Sequence, residues 1–347
     1  MINLNSHETF AGAFIEGLKD LLQHGHHAES VKDPITVGSN WGKGDRPSLE
    51  LLGYSFQVDN PYSCLFLSNT RLLRLPYLYG LFIWSLAGSN KVDWLSYYHP
   101  SASKFSDDGI HLFGAFGKRI FNYQENINQI DIIGKRIIKD AGARRTFASI
   151  CTPEDNILNS REYPCCIGVQ YFLRDNSIDA ITYMRSQSAL GVLPYDAFLF
   201  MLLQCFLADK LKVNVGCYKH FIGTFHVYEA EIEDAKKVIS QEIVPITVGR
   251  IASEADVLEE IFVFERTLRD ATLKKQSSSV LQLASITLNP QNFWDQARIV
   301  LLLHSFILLE LREEAKNLVK QLPAPLQILT KKYLEITQSS GEGEEIR

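Results

Sequence analysis

The chain has 347 residues and a mass of 39.4 kDa, about twice the length of a typical single domain. Its composition, 46% hydrophobic and 22% charged, is that of an ordinary globular protein. A formal net charge of -5 argues against non-specific electrostatic binding of nucleic acid. The six cysteines show no CxxC or zinc-ribbon spacing and are too sparse for a disulfide framework, so they predict reduced thiols in the cytoplasm.

The sequence predicts neither a secretory signal nor a membrane anchor. The first nineteen residues have no continuous apolar stretch and contain His7, Glu8, Glu16 and Lys19. The longest apolar runs, Ala197–Leu203 and Ile299–Leu309, are too short to span a bilayer or are interrupted by polar side chains. We therefore expect no membrane contact.

Short β-rich runs alternate with helices in the first part of the chain. Leu51–Val58 carries aromatic and β-branched residues at strand spacing. Ile167–Arg174 and Ile178–Arg185 predict a hairpin, because residues 175–177 (Asp-Asn-Ser) supply turn chemistry between them. Tyr195–Lys210 then predicts a buried helix, and the pattern returns to extended structure up to Tyr228. This order predicts an α+β fold.

The pattern becomes almost wholly helical after residues 235–255. Ala255–Arg269, Trp294–Glu310 and Glu313–Gln321 have a helical period and are separated by proline punctuation. We predict a core at residues 1–240, a helical C-terminal extension at residues 241–338, and a disordered polar tail at residues 339–347.

The densest set of chemically useful residues lies between Tyr163 and Tyr228. Cys165 follows a proline and precedes a predicted strand, so its thiol could project where a neighbouring guanidinium would lower its pKa and populate the thiolate. Taken alone, Cys165 and Cys166 also fit small buried hydrophobes, because free cysteine is commonly buried. The motifs around them decide between these interpretations.

Several motifs follow one another in a fixed order. Cys165 stands five residues before Gln170, and Arg185-Ser186 is followed by residues 193–196 (Leu-Pro-Tyr-Asp). These segments resemble the catalytic cysteine, the Arg-Ser pair and the base-recognition run of thymidylate synthase and its relatives, the pyrimidine nucleotide hydroxymethylases. Matches to the family also occur at residues 52–54, 84–88, 114–117, 144–145 and 223–228. The resemblance spans roughly residues 40–235, and the shared order argues against chance.

The resemblance implies a mixed sheet with flanking helices and a reaction at carbon 5 of a pyrimidine nucleoside monophosphate. A thiolate that adds to carbon 6 converts carbon 5 into an enolate or enamine, which can take up a one-carbon unit, and Cys165 would supply it. Forked donors would hold the phosphate, and a histidine and a tyrosine would hold the sugar hydroxyl. The residues implied to bind the phosphate are Arg144, Arg145, Arg185 and Ser186. Arg46 or, as second choice, Lys43 would cover the phosphate, and His226 and Tyr228 would bind the sugar hydroxyl.

In relatives the paired arginines come from a second subunit. The resemblance therefore implies a homodimer whose sites are built from both chains. We expect a small nucleotide as the ligand, and no nucleic acid polymer.

Position 196 bears on the choice of base. Thymidylate synthases carry Asn there, whose amide can accept from N3–H and donate to O4 of uracil, whereas this chain has Asp196. A carboxylate accepts from the exocyclic amino group of cytosine, and its protonated form could donate to N3; the deoxycytidylate hydroxymethylases make the same substitution. This favours a cytidylate-like substrate. The alternative is that Asp196 caps a helix starting at Ala197.

Four positions depart from the family pattern. Leu81 and Ser188 stand where relatives have the proton-transferring Glu and a folate-binding Asp, Phe116 replaces a Tyr, and Cys166 replaces a His. Loss of a proton-transfer group typically lowers rates ~10²- to 10⁴-fold. The implied donor is 5,10-methylenetetrahydrofolate, and the changes at Leu81 and Ser188 count against it. Two functions therefore stay open: a C5 one-carbon transferase, and a catalytically impaired nucleotide-binding or scaffolding subunit.

Two further motifs carry weaker signals. His24, His26 and His27 could ligate a metal, but without a carboxylate or thiol cluster a solvated loop is favoured, so no metal site is expected. Residues 106–109 (Ser-Asp-Asp-Gly) resemble a segment of the hydroxymethylase-like branch and equally fit a plain turn.

Overall fold

A computed structural model describes residues 5–29, 46–157 and 160–339 of the chain. Within these residues, a mixed seven-stranded sheet is flanked by helices, and further helices follow it toward the C-terminus. The predicted α+β fold is confirmed. No helix in the described residues combines the length and the apolar character needed to cross a bilayer.

The large sheet is built around three long strands. The strands of the described residues are β1 (Asn5–His7), β2 (His26–Ala28), β3 (Ser48–Val58), β4 (Leu65–Leu67), β5 (Phe147–Ser149), β6 (Cys166–Arg174), β7 (Ser177–Ser188), β8 (Asn214–Tyr228) and β9 (Val244–Ile246). In the large sheet the strand order is β1-β3-β8-β7-β6-β5, with β2 also paired to β3. The pairs β7–β8 and β1–β3 are parallel and the other pairs are antiparallel. A separate β4–β9 pair lies outside this sheet.

The hairpin predicted from the sequence joins β6 to β7. Asp175 and Asn176 have φ of 47° and 56°, the left-handed values that a tight turn between antiparallel strands requires. Asp and Asn adopt this region more readily than most residues, so the local sequence encodes the turn.

Helices pack against one face of the sheet, and further helices pack against these. They are α1 (Phe10–His24), α2 (Leu75–Leu86), α3 (Val92–Tyr98), α4 (Phe116–Phe121), α5 (Gln129–Lys139), α6 (Leu193–Lys210), α7 (Ile232–Ile239), α8 (Ala255–Leu273), α9 (Ser277–Leu283), α10 (Phe293–Leu308), α11 (Arg312–Val319) and α12 (Ala324–Ser339).

Helix α6 is apolar on all sides because it is buried between the sheet and α2. Its one interior amide, Gln204, donates to the carbonyl oxygens of Ile178, Gly216 and Cys217 at 2.7, 3.0 and 3.1 Å. These bonds fix α6 to the ends of β7 and β8.

The C-terminal helices pack onto the core through α2 and α3. The Tyr98 hydroxyl donates to Glu265 Oε1 at 2.9 Å, and Arg269 Nε donates to the same oxygen at 2.9 Å. His304 Nε2 donates to the carbonyl oxygen of Tyr97 at 2.8 Å. Buried polar groups on α8 and α10 thus find their partners on the core.

Helix limits differ from the sequence expectation in several places. The three predicted C-terminal helices are present, but α8 continues to Leu273 and α10 ends at Leu308, while α9 and α12 were not expected. The division at residue 240 stays a prediction. Of the predicted tail, Ser339 ends α12 and residues 340–347 lie outside the described residues.

Candidate active site

The segment that leads to Cys165 is held on both sides by hydrogen bonds. Ser160 Oγ donates to Asp107 Oδ2 at 2.6 Å, and the amide of Arg161 donates to Asp107 Oδ1 at 3.0 Å. The amide of Gly114 donates to Glu162 Oε2 at 3.0 Å. The turn at residues 106–109 therefore braces the approach to Cys165, which lies immediately before β6.

Cys165 and Arg185 lie side by side, as the motif order requires. The Arg185 amide donates to the Cys165 carbonyl at 2.8 Å, its Nε donates to the Pro164 carbonyl at 3.0 Å, and its Nη2 lies 3.8 Å from Cys165 Sγ. These contacts arise because β6 and β7 pair next to the cysteine, with Cys166 opposite Met184. A permanent positive charge thus stands beside a half-buried thiol.

The expected lowering of the Cys165 pKa is wrong for the free protein. Burial raises the pKa of the thiol to about 11; the guanidinium of Arg185 lowers it only in part, and the charges of Asp196 and Glu162 raise it further. Desolvation outweighs the one adjacent cation. Cys165 is consequently a thiol at neutral pH, and its attack on carbon requires a base.

Asp196 lies inside the first turn of α6 and does not cap it. The helix begins at Leu193, and Asp196 Oδ2 accepts a hydrogen bond from Gln187 Nε2 at 3.0 Å. The capping alternative is wrong because the helix starts at Leu193, four residues before Ala197. Burial raises the pKa of the Asp196 carboxyl to about 7, so both its protonation states are accessible near neutral pH.

A buried chain of hydrogen bonds fixes the orientation of Gln187. His220 Nε2 lies 3.3 Å from Gln187 Oε1, and the Tyr218 hydroxyl lies 2.6 Å from His220 Nδ1. Because Gln187 gives its NH₂ to Asp196, its oxygen accepts from His220 Nε2–H, and Nδ1 then accepts from the tyrosine. Burial lowers the pKa of His220 to about 3, which keeps the ring neutral for this role.

The sugar and phosphate candidates lie along β7 and β8. Ser186 pairs with Thr224, and Ser188 pairs with His226, so these side chains share one end of the parallel pair. The Arg46 guanidinium lies 3.7 Å above the ring of Tyr228. Burial raises the pKa of the Tyr228 hydroxyl, the Arg46 guanidinium opposes this shift, and a charge on Cys165 would add to it. Lys43 lies outside the described residues.

Arg144 and Arg145 lie apart from the other candidates. Both are exposed in the loop between α5 and β5, and the Arg144 carbonyl accepts from Gln170 Nε2 at 2.9 Å. Since Gln170 is five residues along the chain from Cys165, the separation along the sheet is about 17 Å. The loop forms a basic depression of about 570 Å³ with Arg136 and Lys139. Within one chain, these arginines do not reach Cys165.

The structure shows what surrounds each of the four residues that depart from the family pattern. Leu81 packs on the small apolar cluster that includes Trp84, and the Phe116 ring stacks on Phe200 at 5.6 Å. Ser188 Oγ accepts from the Gly191 amide at 3.3 Å. Cys166 is fully buried, as expected of a small core residue, whereas Cys165 is only partly buried at the edge of the core.

An aromatic wall next to Asp196 could hold a flat cofactor. The Tyr77 ring lies 5.2 Å from that of Tyr195 and 4.9 Å from that of His99. Arg74 Nη1 lies 3.0 Å from His99 Nδ1, and Arg71 lies over Tyr195 at 5.5 Å. Such rings with cations at their edge fit a planar, anionic molecule. The described residues contain no group of three metal-ligating side chains.

Glu162 and Tyr77 are two neighbours of the site that sequence reasoning missed. Burial raises the pKa of Cys165 and of Tyr77, and the charge of Glu162 raises both further. Glu162 stands three residues before the cysteine, where neither spacing nor periodicity marks it as functional. Tyr77 lies on α2, almost ninety residues away in sequence. Its place beside Asp196 depends on tertiary packing alone.

The chain is similar to known proteins over most of this region. The thymidylate synthase family model matches residues 13–278, more than half of the chain. A deoxyuridylate hydroxymethyltransferase of Bacillus phage SP01 is 27% identical over 191 residues, covering 51% of this chain and 49% of the relative. A second, of Delftia phage PhiW-14, is 23% identical over 205 residues, covering 55% and 56%.

A cellular relative matches a longer stretch. The thymidylate synthase of Francisella philomiragia is 23% identical over 257 residues, covering 68% of this chain and 93% of its own length. The chain thus spans only about half the length of the two phage relatives.

Proposed function

The chain belongs to the thymidylate synthase family, and from this premise we propose that it transfers a one-carbon unit to carbon 5 of a pyrimidine nucleoside monophosphate. One observation carries the proposal: the Cys165 thiol lies against the Arg185 guanidinium at the end of β7, 3.8 Å from Nη2. The sulfur would add to carbon 6 of the base, and the charge of Arg185 would hold the phosphate nearby.

The rest of the nucleotide would lie along the β7–β8 edge. Ser186 and Arg46 would add donors for the phosphate, while His226 and Tyr228 would hold the sugar hydroxyl. Support comes from the strand register, which aligns Ser186 and His226 at one end of the parallel pair.

We propose a cytidylate-like base because of Asp196. Its Oδ2 accepts from Gln187, which leaves Oδ1 to accept from the amino group of cytosine or, when protonated, to donate to N3. The names of the phage relatives refer to deoxyuridylate, so uracil is the competing base.

A folate donor fits the chemistry of the aromatic wall. Tyr77, Tyr195 and His99 would stack on a pterin ring, and Arg71 and Arg74 would pair with its anionic tail. When bound, 5,10-methylenetetrahydrofolate supplies the one-carbon unit. The residues of the wall would orient it toward the base held by Asp196.

We propose a homodimer with shared sites. On the sheet face away from α6, the rings of Phe147, Tyr183 and Phe221 form a continuous row with centroid distances of 6.1 and 5.9 Å. Phe147, Phe221 and Ile167 are 39%, 37% and 45% exposed, an apolar surface that a second copy would cover. Pairing through this face would let Arg144 and Arg145 serve the partner's site.

A second candidate function is a catalytically impaired nucleotide-binding or scaffolding subunit. It is favoured by the apolar packing of Leu81 and Phe116 where the family has groups that exchange protons. This alternative keeps the nucleotide site and predicts binding without turnover.

The discriminating experiment is incubation with dUMP, dCMP, UMP and CMP, each with and without the folate. Intact-protein mass spectrometry would detect the covalent adduct, and product analysis the transferred carbon. Cys165→Ala should abolish both, while Cys217→Ala, a half-buried thiol elsewhere in the sheet, should leave them intact. Tight binding without adduct or product for any nucleotide would favour the second candidate.

A further inference from the structure

One partly buried carboxyl group near the nucleophile has no role in the proposed binding of the nucleotide. Glu162 precedes Cys165 by three residues, so their Cα atoms can lie no more than about 11 Å apart. Its Oε2 is fixed by the Gly114 amide at 3.0 Å. The segment that bears both side chains is fixed at one end by Asp107 and at the other by Arg185.

Two carboxyl groups act electrostatically on both the Cys165 thiol and the Tyr77 hydroxyl, whose pKa values are raised chiefly by burial. The charges of Glu162 and Asp196 each raise the pKa of Cys165, and each also raises the pKa of the Tyr77 hydroxyl. Geometry also places the Glu162 carboxyl close to the backbone that leads to the thiol, since a Cβ at Gly114 would touch both Glu162 Cδ and the Pro164 nitrogen. Of the two carboxyl groups, Asp196 already accepts from Gln187 and is assigned to the base.

The chemistry of the thiol requires such a group. Cys165 is protonated at neutral pH, so a base must take its proton when sulfur attacks. Burial and the charge of Asp107 raise the pKa of Glu162 to about 7, against the opposing influence of Arg119. Arg119 lowers the pKa of Glu162 only in part, because both Nη atoms of Arg119 are hydrogen-bonded to Asp155, at 2.6 and 2.7 Å.

We propose, resting on the proposed function, that Glu162 is the proton-transfer group for Cys165 in this site. As Sγ forms a bond to carbon 6, the thiol proton passes to the Glu162 carboxylate, and the electron pair of the 5,6 double bond moves to carbon 5. The Glu162 carboxylic acid then gives the proton to carbon 5. The sum is addition of S–H across one double bond, and its reversal exchanges the hydrogen at carbon 5 with solvent.

The close packing around Glu162 supports a fixed position for its carboxyl. A Cβ at Gly114 would lie 3.1 Å from Glu162 Cδ and 3.2 Å from the Pro164 nitrogen. Only a glycine lets the chain approach this closely without displacing the carboxyl. Leu81, by contrast, has no proton to exchange, so the group proposed here comes from a different segment of the chain.

The test is the rate of hydrogen–deuterium exchange at carbon 5 in D₂O, measured without folate from about pH 5 to about pH 9. The wild-type rate should rise with pH through about 7, because the carboxylate form of Glu162 is the base. Glu162→Gln should lower the rate ~10²- to 10⁴-fold and remove this rise. Glu162→Asp should keep the rise at a lower rate, and Glu125→Gln, an exposed carboxyl paired with Lys118, should match the wild type.

Calorimetric binding of the nucleotide separates a chemical defect from a folding defect. Glu162→Gln should bind the nucleotide with a Kd within about threefold of the wild type. If Glu162→Gln does not fold, Glu162→Asp decides, and a rate equal to the wild type overturns the inference. An unchanged pH rise in Glu162→Gln assigns the base to Asp196 and also overturns it. Absence of exchange in the wild type with every pyrimidine monophosphate instead removes the proposed function itself.

Discussion

At the scale of single residues, burial and charge act in opposite directions on the same thiol. Arg185 next to Cys165 would give a reactive thiolate in an exposed setting. Here burial dominates, and the pKa of Cys165 rises to about 11. A neighbouring cation is therefore insufficient reason to expect an ionised cysteine, and the nearby carboxyls become part of the chemistry.

Asp196→Asn tests whether this position selects the base. Gln187 donates to the side chain, so the introduced amide would turn its oxygen to Gln187 and its NH₂ to the base. That NH₂ suits O4 of uracil and opposes the amino group of cytosine. The ratio of kcat/KM for cytosine over uracil nucleotides should fall by ~10- to 100-fold, measured by competition between dCMP and dUMP.

A surface aspartate provides the matched control. Asp234→Asn alters an exposed carboxyl that pairs with Lys237, and it should leave the ratio unchanged. An unaltered ratio in Asp196→Asn would show that the carboxyl does not contact the base.

At the scale of elements, local signals predicted what depends on local sequence. The β6–β7 hairpin follows from Asp175 and Asn176, whose side chains favour left-handed turns, and α6 follows from its long apolar run. Short edge strands such as β1 and β2 have three residues each and no periodicity to detect. They are strands only because β3 offers them hydrogen bonds.

The candidate site likewise contains residues that sequence motifs identify and residues that only the fold brings there. Cys165, Arg185 and Asp196 were found because they belong to an ordered motif set. Glu162 was missed because its function depends on where the Gly114 amide and Arg119 lie, which no spacing in the sequence records. The direction of the Cys165 pKa was missed for the same reason, since burial is a property of the fold.

Gly117→Ala tests the close contact between α2 and α4. A Cβ there would lie 2.3 Å from Ser85 Cα and 2.4 Å from its carbonyl oxygen, both of them backbone atoms that cannot move aside. We expect a loss of about 1–3 kcal/mol in the free energy of unfolding, measured by urea denaturation.

A second helical glycine gives the opposite expectation and serves as the control. At Gly134 on α5 the nearest atom to an added Cβ is 3.5 Å away, so Gly134→Ala should stabilise the protein by about 0.5–1 kcal/mol. Equal effects of the two variants would contradict the close packing of α2 on α4.

At the scale of the whole molecule, one chain does not bring all the proposed phosphate-binding arginines together. Arg144 and Arg145 lie about 17 Å along the sheet from Cys165, while the exposed aromatic row offers a face for a second copy. Sharing of sites between subunits would account for both observations.

Subunit mixing tests this arrangement. Cys165→Ala and Arg145→Ala should each be inactive or strongly impaired as homodimers. After joint unfolding and refolding, mixed dimers should contain one intact site, restoring about a quarter of the wild-type activity. Mixing Cys165→Ala with Cys165→Ser should restore none. If the first mixture also stays inactive, the arginines act within their own chain or not at all.

The attachment of α8 and α10 to α3 has a consequence for synthesis of the protein. The ribosome releases α3 long before Glu265 and His304 are synthesised, and at about 5–20 residues per second the chain from α3 to His304 takes about 10–40 s to complete. During this interval Trp94, Tyr97 and Tyr98 lack their contacts with α8 and α10. The nascent chain therefore exposes an aromatic surface that is prone to non-specific association. Slower translation downstream of α3 should make folding more dependent on chaperones.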